Sequence, residues 1–273
     1  MIFKLFLLFL VNHIIFDFIL QGETIIKMRF VDRVVSDKVL EKKERISITV
    51  KGNIIHSFLH LIGMIIIVTF INMKVTYNLD FYLKSVYIMI THFIIDEGKS
   101  LLFLYKSKSK NNIWVFLIDQ LLHVLAISLI VLGINNFKYF YKHTLNSSDK
   151  ALITVLVFLM VTIVTGIFIK IFINYLMAEK SGEEAINVMS DSNGSSGAKN
   201  GGFIIGILER LLIFISMLID YYSIIGFILT AKSIARISKL SDPQFAEYFI
   251  IGNLLSFTSA IIGGVFIKYL LGL

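Results

Sequence analysis

Four pairs of ionisable residues stand out: His13 with Asp17, His56 with His60, His92 with Asp96, and Asp119 with His123. Each pair is spaced i, i+4, which on a helix puts both side chains on one face, one turn apart. Each lies in a strongly apolar stretch, and together they use five of the chain's six histidines. Neutral imidazole and carboxylate are good ligands for zinc, manganese or iron. Two such residues one helical turn apart can ligate one ion. The eight residues exceed what one closed site needs. The spacing therefore leaves two metals, or one metal with second-sphere carboxylates orienting its histidines, as equal alternatives. Asp17, Asp96 and Asp119 are the candidates for proton transfer. Lys99, three residues after Asp96, and the Glu209–Arg210 dipeptide are candidates for holding an anionic substrate group.

The elements that must position these residues are membrane spans. The chain has 273 residues, of which 56% are hydrophobic and 16% charged. A soluble domain has about 25% charged residues. The apolar residues fall in blocks long enough to cross a bilayer, too long and too continuous for barrel strands. The expected fold is all-α: a polytopic transmembrane helix bundle of about eight spans, with seven and nine as the bounds. They are placed near 2–20, 54–73, 81–105, 113–135, 151–177, 203–219, 221–237 and 245–270. The first is read as a mature span because it carries His13 and Asp17 and no small-residue cleavage site follows it. Asp242 and Pro243, the only proline, read as N-cap and first helical residue of the last span.

The organisation follows. Residues 1–135 form a four-helix half carrying the pairs, 136–177 an outer loop and fifth span, 178–202 a flexible cytoplasmic loop, and 203–273 a C-terminal transmembrane half without histidine. A short surface helix is expected within 21–53. That stretch carries eight Lys and Arg residues, so the positive-inside rule puts it in the cytoplasm and both termini outside. On that threading every pair falls in the cytoplasmic half of the bilayer. The absence of cysteine excludes disulfides and thiolate ligands. The net charge of +7 reads as the cytoplasmic Lys/Arg excess of a membrane protein, with no nucleic-acid partner expected.

Blander readings apply to other residues. His143 sits in a polar loop, Lys170 can snorkel, Glu209–Arg210 reads as an ion pair fixing its span, and Lys232, Arg236 and Lys239 form an interfacial basic face. A nucleotide-binding glycine loop, an HExxH motif and a serine nucleophile elbow are all missing from the sequence.

The strings HIIFDFILQ (His13 to Gln21), HSFLH (His56 to His60), HFIIDEGK (His92 to Lys99) and DQLLH (Asp119 to His123) resemble the ordered motifs of a bacterial membrane family, domain of unknown function 3307. GILERLLIF (Gly206 to Phe214), GFILTAKSIAR (Gly226 to Arg236) and AEYFIIGNLLS (Ala246 to Ser256) resemble the segment that accompanies it in many members. The turn IDYYS (Ile219 to Ser223) departs from the pattern, so Asp220 is given no role. The resemblance implies a multi-pass protein of the bacterial inner membrane and carries little chemistry. From the residues themselves, the expected function is a metal-dependent hydrolase or transferase acting on a lipid or lipid-linked phosphate, with zinc the first choice of ion. The alternatives are a divalent-cation or proton-coupled transporter, and a non-catalytic membrane partner or sensor.

Overall fold

A computed structural model describes residues 1–31, 34–35, 38–74, 78–106, 112–133, 144–181 and 201–273. His143, Lys108, Lys110 and most of the expected 178–202 loop lie outside the described residues. The chain divides into two units, Met1–Leu152 and Ile153–Leu273.

The first unit opens with α1 (Ile2–Ile14), which widens into a π-helical turn at Ile15–Ile19. A short helix, α2 (Glu23–Arg29), follows where a surface helix was expected. A two-residue antiparallel ladder, Val34–Val35 on Lys38–Val39, leads to α3 (Lys42–Lys74). Then come α4 (Leu79–Tyr105) and α5 (Ile113–Leu132). Asparagines start two of these helices: the side chain of Asn78 accepts from the Asp80 amide and that of Asn112 from the Trp114 amide, the usual device for satisfying a free first-turn N–H. Helix α6 (Ser147–Leu159) begins with a reciprocal box, Asn146 Oδ1 accepting from the Asp149 amide and Asp149 Oδ2 from the Asn146 amide.

In the second unit α6 passes through a π-helical turn, Met160–Val164, into α7 (Thr165–Ser181). Helices α8 (Gly201–Leu218), α9 (Ser223–Ala235) and α10 (Pro243–Leu271) complete it. The expected cap of the last helix is present: Asp242 Oδ1 accepts from the Gln244 amide, with Pro243 next to it. The core of this unit is aliphatic and aromatic, centred on Val161, Ile213, Phe214, Phe257, Ala260 and Ile267.

The fold is that of a multi-pass membrane protein. Among the described residues, six helical stretches are long and apolar enough to cross a bilayer: Ile2–Ile19, Lys42–Met73, Ile113–Leu132, Ser147–Met177, Gly201–Leu218 and Pro243–Leu271. Helix α4 has the length but carries Lys84, Asp96, Glu97 and Lys99. Helix α9 is apolar and short, 13 residues. These are the eight expected segments. The main difference is at α3, which begins at Lys42 and not near residue 54. Its first turns, rich in Lys, Glu and Arg, are good helix formers without proline. Hydropathy marks the apolar part of this helix and not its start. His56 and His60 therefore sit in mid-helix.

Candidate metal centre

Four helices and the π turn bring all eight paired residues of the first unit together. The π turn carries Asp17, α3 carries His56 and His60, α4 carries His92 and Asp96, and α5 carries Asp119 and His123, while His13 comes from the last turn of α1. A π turn is wider than an α turn and is often found where a side chain must be re-aimed at a site. Close packing seats α1 on α3 at Gly63. A Cβ there would overlap Asn12 Oδ1 and the Phe16 ring, so glycine allows this approach without either side chain moving. Asn12 uses it to donate to the His60 carbonyl (3.3 Å).

The eight side chains are all buried, Asp96 completely. The imidazoles touch one another: ring centroids lie 4.0 Å apart for His60 and His92, 4.4 Å for His92 and His123, 4.6 Å for His56 and His60, and 4.9 Å for His13 and His123. Asp17 is the hub of one side. Its Oδ1 lies 3.0 Å from His56 Nε2, 3.1 Å from His60 Nε2 and 3.6 Å from His92 Nε2, and its Oδ2 lies 3.7 Å from His13 Nε2. Asp96 is the hub of the other, with Oδ2 3.1 Å from His92 Nε2 and 3.5 Å from His56 Nε2.

Proton positions follow from the partners. An ionised carboxylate and a carbonyl only accept. His56 Nε2 therefore donates to Asp17, and His123 Nδ1 donates to the Asp119 carbonyl (2.8 Å), leaving the His123 Nε2 lone pair facing inward. Among the described residues, Nε2 of His13 and His123 is buried without a hydrogen-bond partner, and Nε2 of His60 and His92 is buried facing carboxylate oxygens at 3.1 Å without a well-aligned hydrogen bond. Buried polar atoms are nearly always satisfied, so such a set needs a physical cause, and an ion supplies one. Three groupings have mutual ligand-atom distances within 4.8 Å: His13, Asp17, His60 and His92; His56, His92 and Asp96; and Asp96, Asp119 and His123.

Two permanent cations enter on the Asp96 side. Lys99 Nζ lies 2.7 Å from Asp119 Oδ2 and 3.3 Å from Asp96 Oδ1, the contact its i, i+3 spacing allows. Gln120 also donates to Asp119 Oδ2 (3.0 Å). The second cation is Arg29, which the sequence alone marks only as one of the loop charges. It is buried, and its Nη2 lies 2.6 Å from Asp96 Oδ2. Its Nε donates to Asn53 Oδ1 (2.8 Å), and Asn53 passes the link to Glu97 (2.7 Å) and Ser100 (3.1 Å). The amide of Gln21, oriented by its neighbours, donates to the Asp17 carbonyl (3.0 Å) and accepts from Arg29 Nη1. Arg29 reaches the cluster because α2 lies directly on α3 at Gly52, where a Cβ would meet the backbone of Met28 and Arg29 at 2.9 Å.

The other two expected anion-binding residues lie in the second unit and have partners there. Glu209 Oε2 accepts from Lys232 (2.5 Å). The Arg210 guanidinium donates from Nε (3.1 Å) and Nη2 (2.8 Å) to the Thr162 carbonyl and from Nη1 to Ser256 Oγ (3.2 Å). Thr162 belongs to the π turn, which widens the helical ladder at the carbonyl that receives the arginine.

Residues 5–152 match the sequence model of the family described as "Protein of unknown function (DUF3307)", a span that contains the whole His/Asp cluster. No curated protein and no solved structure gives a significant match.

Proposed function

We propose that this chain, which belongs to the DUF3307 family, is a membrane protein whose first unit binds a divalent metal ion, zinc first and manganese or iron after it, and uses it for hydrolysis or group transfer on a lipid or lipid-linked phosphate. The observation that carries the metal reading is the set of inward-facing, buried Nε2 atoms of His13, His60, His92 and His123 beside three carboxylates. Lone pairs and carboxylates crowded in an apolar interior repel one another, and a cation relieves them.

The catalytic part of the reading is supported by the surplus of groups. A structural zinc site needs four ligands. Beside the four-residue grouping of His13, Asp17, His60 and His92, the residues His56, Asp96, Asp119 and Lys99 supply hydrogen-bonded groups able to take or give a proton and a cation able to face a phosphoryl oxygen. A divalent ion held by four of these groups would take a water or a phosphoryl oxygen as a fifth ligand, and would acidify the one or polarise the other. Asp96 and Asp119 hold Lys99 in place, and Asp17 is oriented by His56. We place the protein in the bacterial inner membrane, with residues 21–53 and this centre on the cytoplasmic side. The Lys/Arg excess of that stretch supports the placement.

Elemental analysis of detergent-purified protein tests the metal reading. Wild type should carry zinc, manganese or iron, and His60→Ala combined with His92→Ala should carry none. Metal-free wild type, purified without chelator, would remove the proposal. A chain of buried imidazoles and carboxylates also suits cation or proton transport. Metal uptake into proteoliposomes by wild type, absent in that double variant, would replace the enzyme reading with transport.

A further inference from the structure

We infer that the centre is mononuclear: one divalent ion held by His13, Asp17, His60 and His92, with Lys99 and Arg29 supplying the positive charge of a second ion at Asp96 and Asp119. The inference rests on the metal reading above and goes beyond it by fixing which half of the cluster takes the ion and why the other does not.

Geometry separates the halves. Ligand atoms at tetrahedral corners about 2.0–2.1 Å from zinc are about 3.3 Å from one another. From Asp17 Oδ1 the corresponding edges are 3.1 Å to His60 and 3.6 Å to His92, and the other carboxylate oxygen, Oδ2, lies 3.7 Å from His13; all four ligand atoms lie within 4.8 Å of one another. The Nε2 atoms of these three histidines are buried, and among the described residues none makes a well-aligned hydrogen bond. Asp17 Oδ1 also accepts the Nε2–H of His56 (3.0 Å), which orients the carboxylate. The Asp96–Asp119–His123 grouping also has short mutual distances, but its interior is already taken. The Lys99 ammonium sits between the two carboxylates at 2.7 and 3.3 Å, and Arg29 approaches Asp96 from the other oxygen at 2.6 Å.

Charge gives the same answer. The connected network contains four carboxylates, Asp17, Asp96, Glu97 and Asp119, and two permanent cations, Arg29 and Lys99. With neutral imidazoles this leaves two negative charges, which one divalent ion balances. A second ion would leave two uncompensated positive charges inside an apolar bundle, at a large desolvation cost.

The test is metal stoichiometry on full-length protein after equilibration with excess Zn2+ or Co2+ and desalting, with monodisperse elution as the check on folding. Wild type should hold one ion per chain. His13→Ala should lose it and His123→Ala should keep it. Lys99→Met should raise the count from one to two, because Asp96, Asp119 and His123 are then free to take an ion. Two ions in wild type would overturn the mononuclear inference and leave the metal reading standing; none in wild type would remove both. A single ion that survives His13→Ala and is lost in His123→Ala would overturn the assignment, as would a Lys99→Met protein that still holds one. Were Lys99→Met to misfold, the wild-type count and the His13/His123 pair would decide alone.

Discussion

Asp96 has no exposed surface and sits against Arg29, Lys99 and two imidazoles. A buried carboxylate that loses its closest cation keeps its desolvation cost without the compensating attraction. Arg29→Met should therefore destabilise the first unit by about 3 kcal/mol, in the range for a broken buried pair. Arg29→Met combined with Asp96→Asn should recover part of that loss, since the charge needing a partner is gone. Thermal unfolding of the four proteins of this cycle, in one detergent, measures it. Additive losses would mean that the pair is not coupled. Residues of this kind also show where legibility from sequence ends. The His/Asp pairs are legible because ionisable residues one turn apart inside an apolar run are costly to bury unless they share a site. Arg29, Asn12, Gln21 and Asn53 are not, because Arg29 is one of eight basic residues in a polar stretch and nothing in their order says which turns inward. One signal is present. Three carboxylates expected inside a membrane with only Lys99 beside them call for a further cation.

At the scale of elements, α2 matters through its seat on α3. It is a seven-residue helix, too short to be stable alone, and it is held by what it packs on. At Gly52 the atoms that a Cβ would meet are Met28 Cβ at 2.8 Å and backbone of Met28 and Arg29 at 2.9 Å, and backbone cannot swing aside as a side-chain tip can. Gly52→Ala should push α2 outward, draw Arg29 off Asp96 and cost about 1–3 kcal/mol, the range for overpacking. In an Arg29→Met background the same substitution should cost clearly less, because both changes break one contact. An equal cost in both backgrounds, read from unfolding midpoints, would separate the seat of α2 from the Arg29–Asp96 pair. The extent of α3 belongs to this scale as well. Apolar composition ends where headgroups begin, but a helix continues until something stops it, and Lys42 to Lys51 start with strong helix formers and contain no proline or glycine. The caps at Asn78, Asn112 and Asp242 act through one hydrogen bond each, and only the last is legible from sequence, because a proline follows it.

For the whole molecule the open variable is the number of crossings, and it turns on α9. Its 13 residues span about 20 Å at 1.5 Å per residue, short of a hydrocarbon core of about 30 Å. A contact in the second unit bears on this. Asp220, in left-handed backbone at the turn before α9 (φ 59°), pairs with Lys268 near the end of α10, and the Tyr222 hydroxyl donates to the same carboxylate. The turn before α9 thus lies at the end of the unit where α10 finishes. Helix α10, with 29 residues, is long enough to cross completely, so its start at Pro243 lies at the opposite end. The chain from Tyr222 to Asp242 must then cover that distance, α9 providing most of it and the turns after Ala235 the rest. With each of the other seven expected segments crossing once, as the proposed threading requires, the chain would have an even number of crossings and both termini on one side. The lack of any native cysteine makes the test direct. Single cysteines at Ile2, Leu145 and Leu273 should react with a membrane-impermeant maleimide added to intact cells, and single cysteines at Leu40 and Ser241 should react only after the membrane is opened. A protein labelled at Ile2 but shielded at Leu273 would have an odd number of crossings. In that case α9 would lie along the interface with Lys232 and Arg236, and the pairing of Asp220 with Lys268 could not hold while α10 crosses the bilayer.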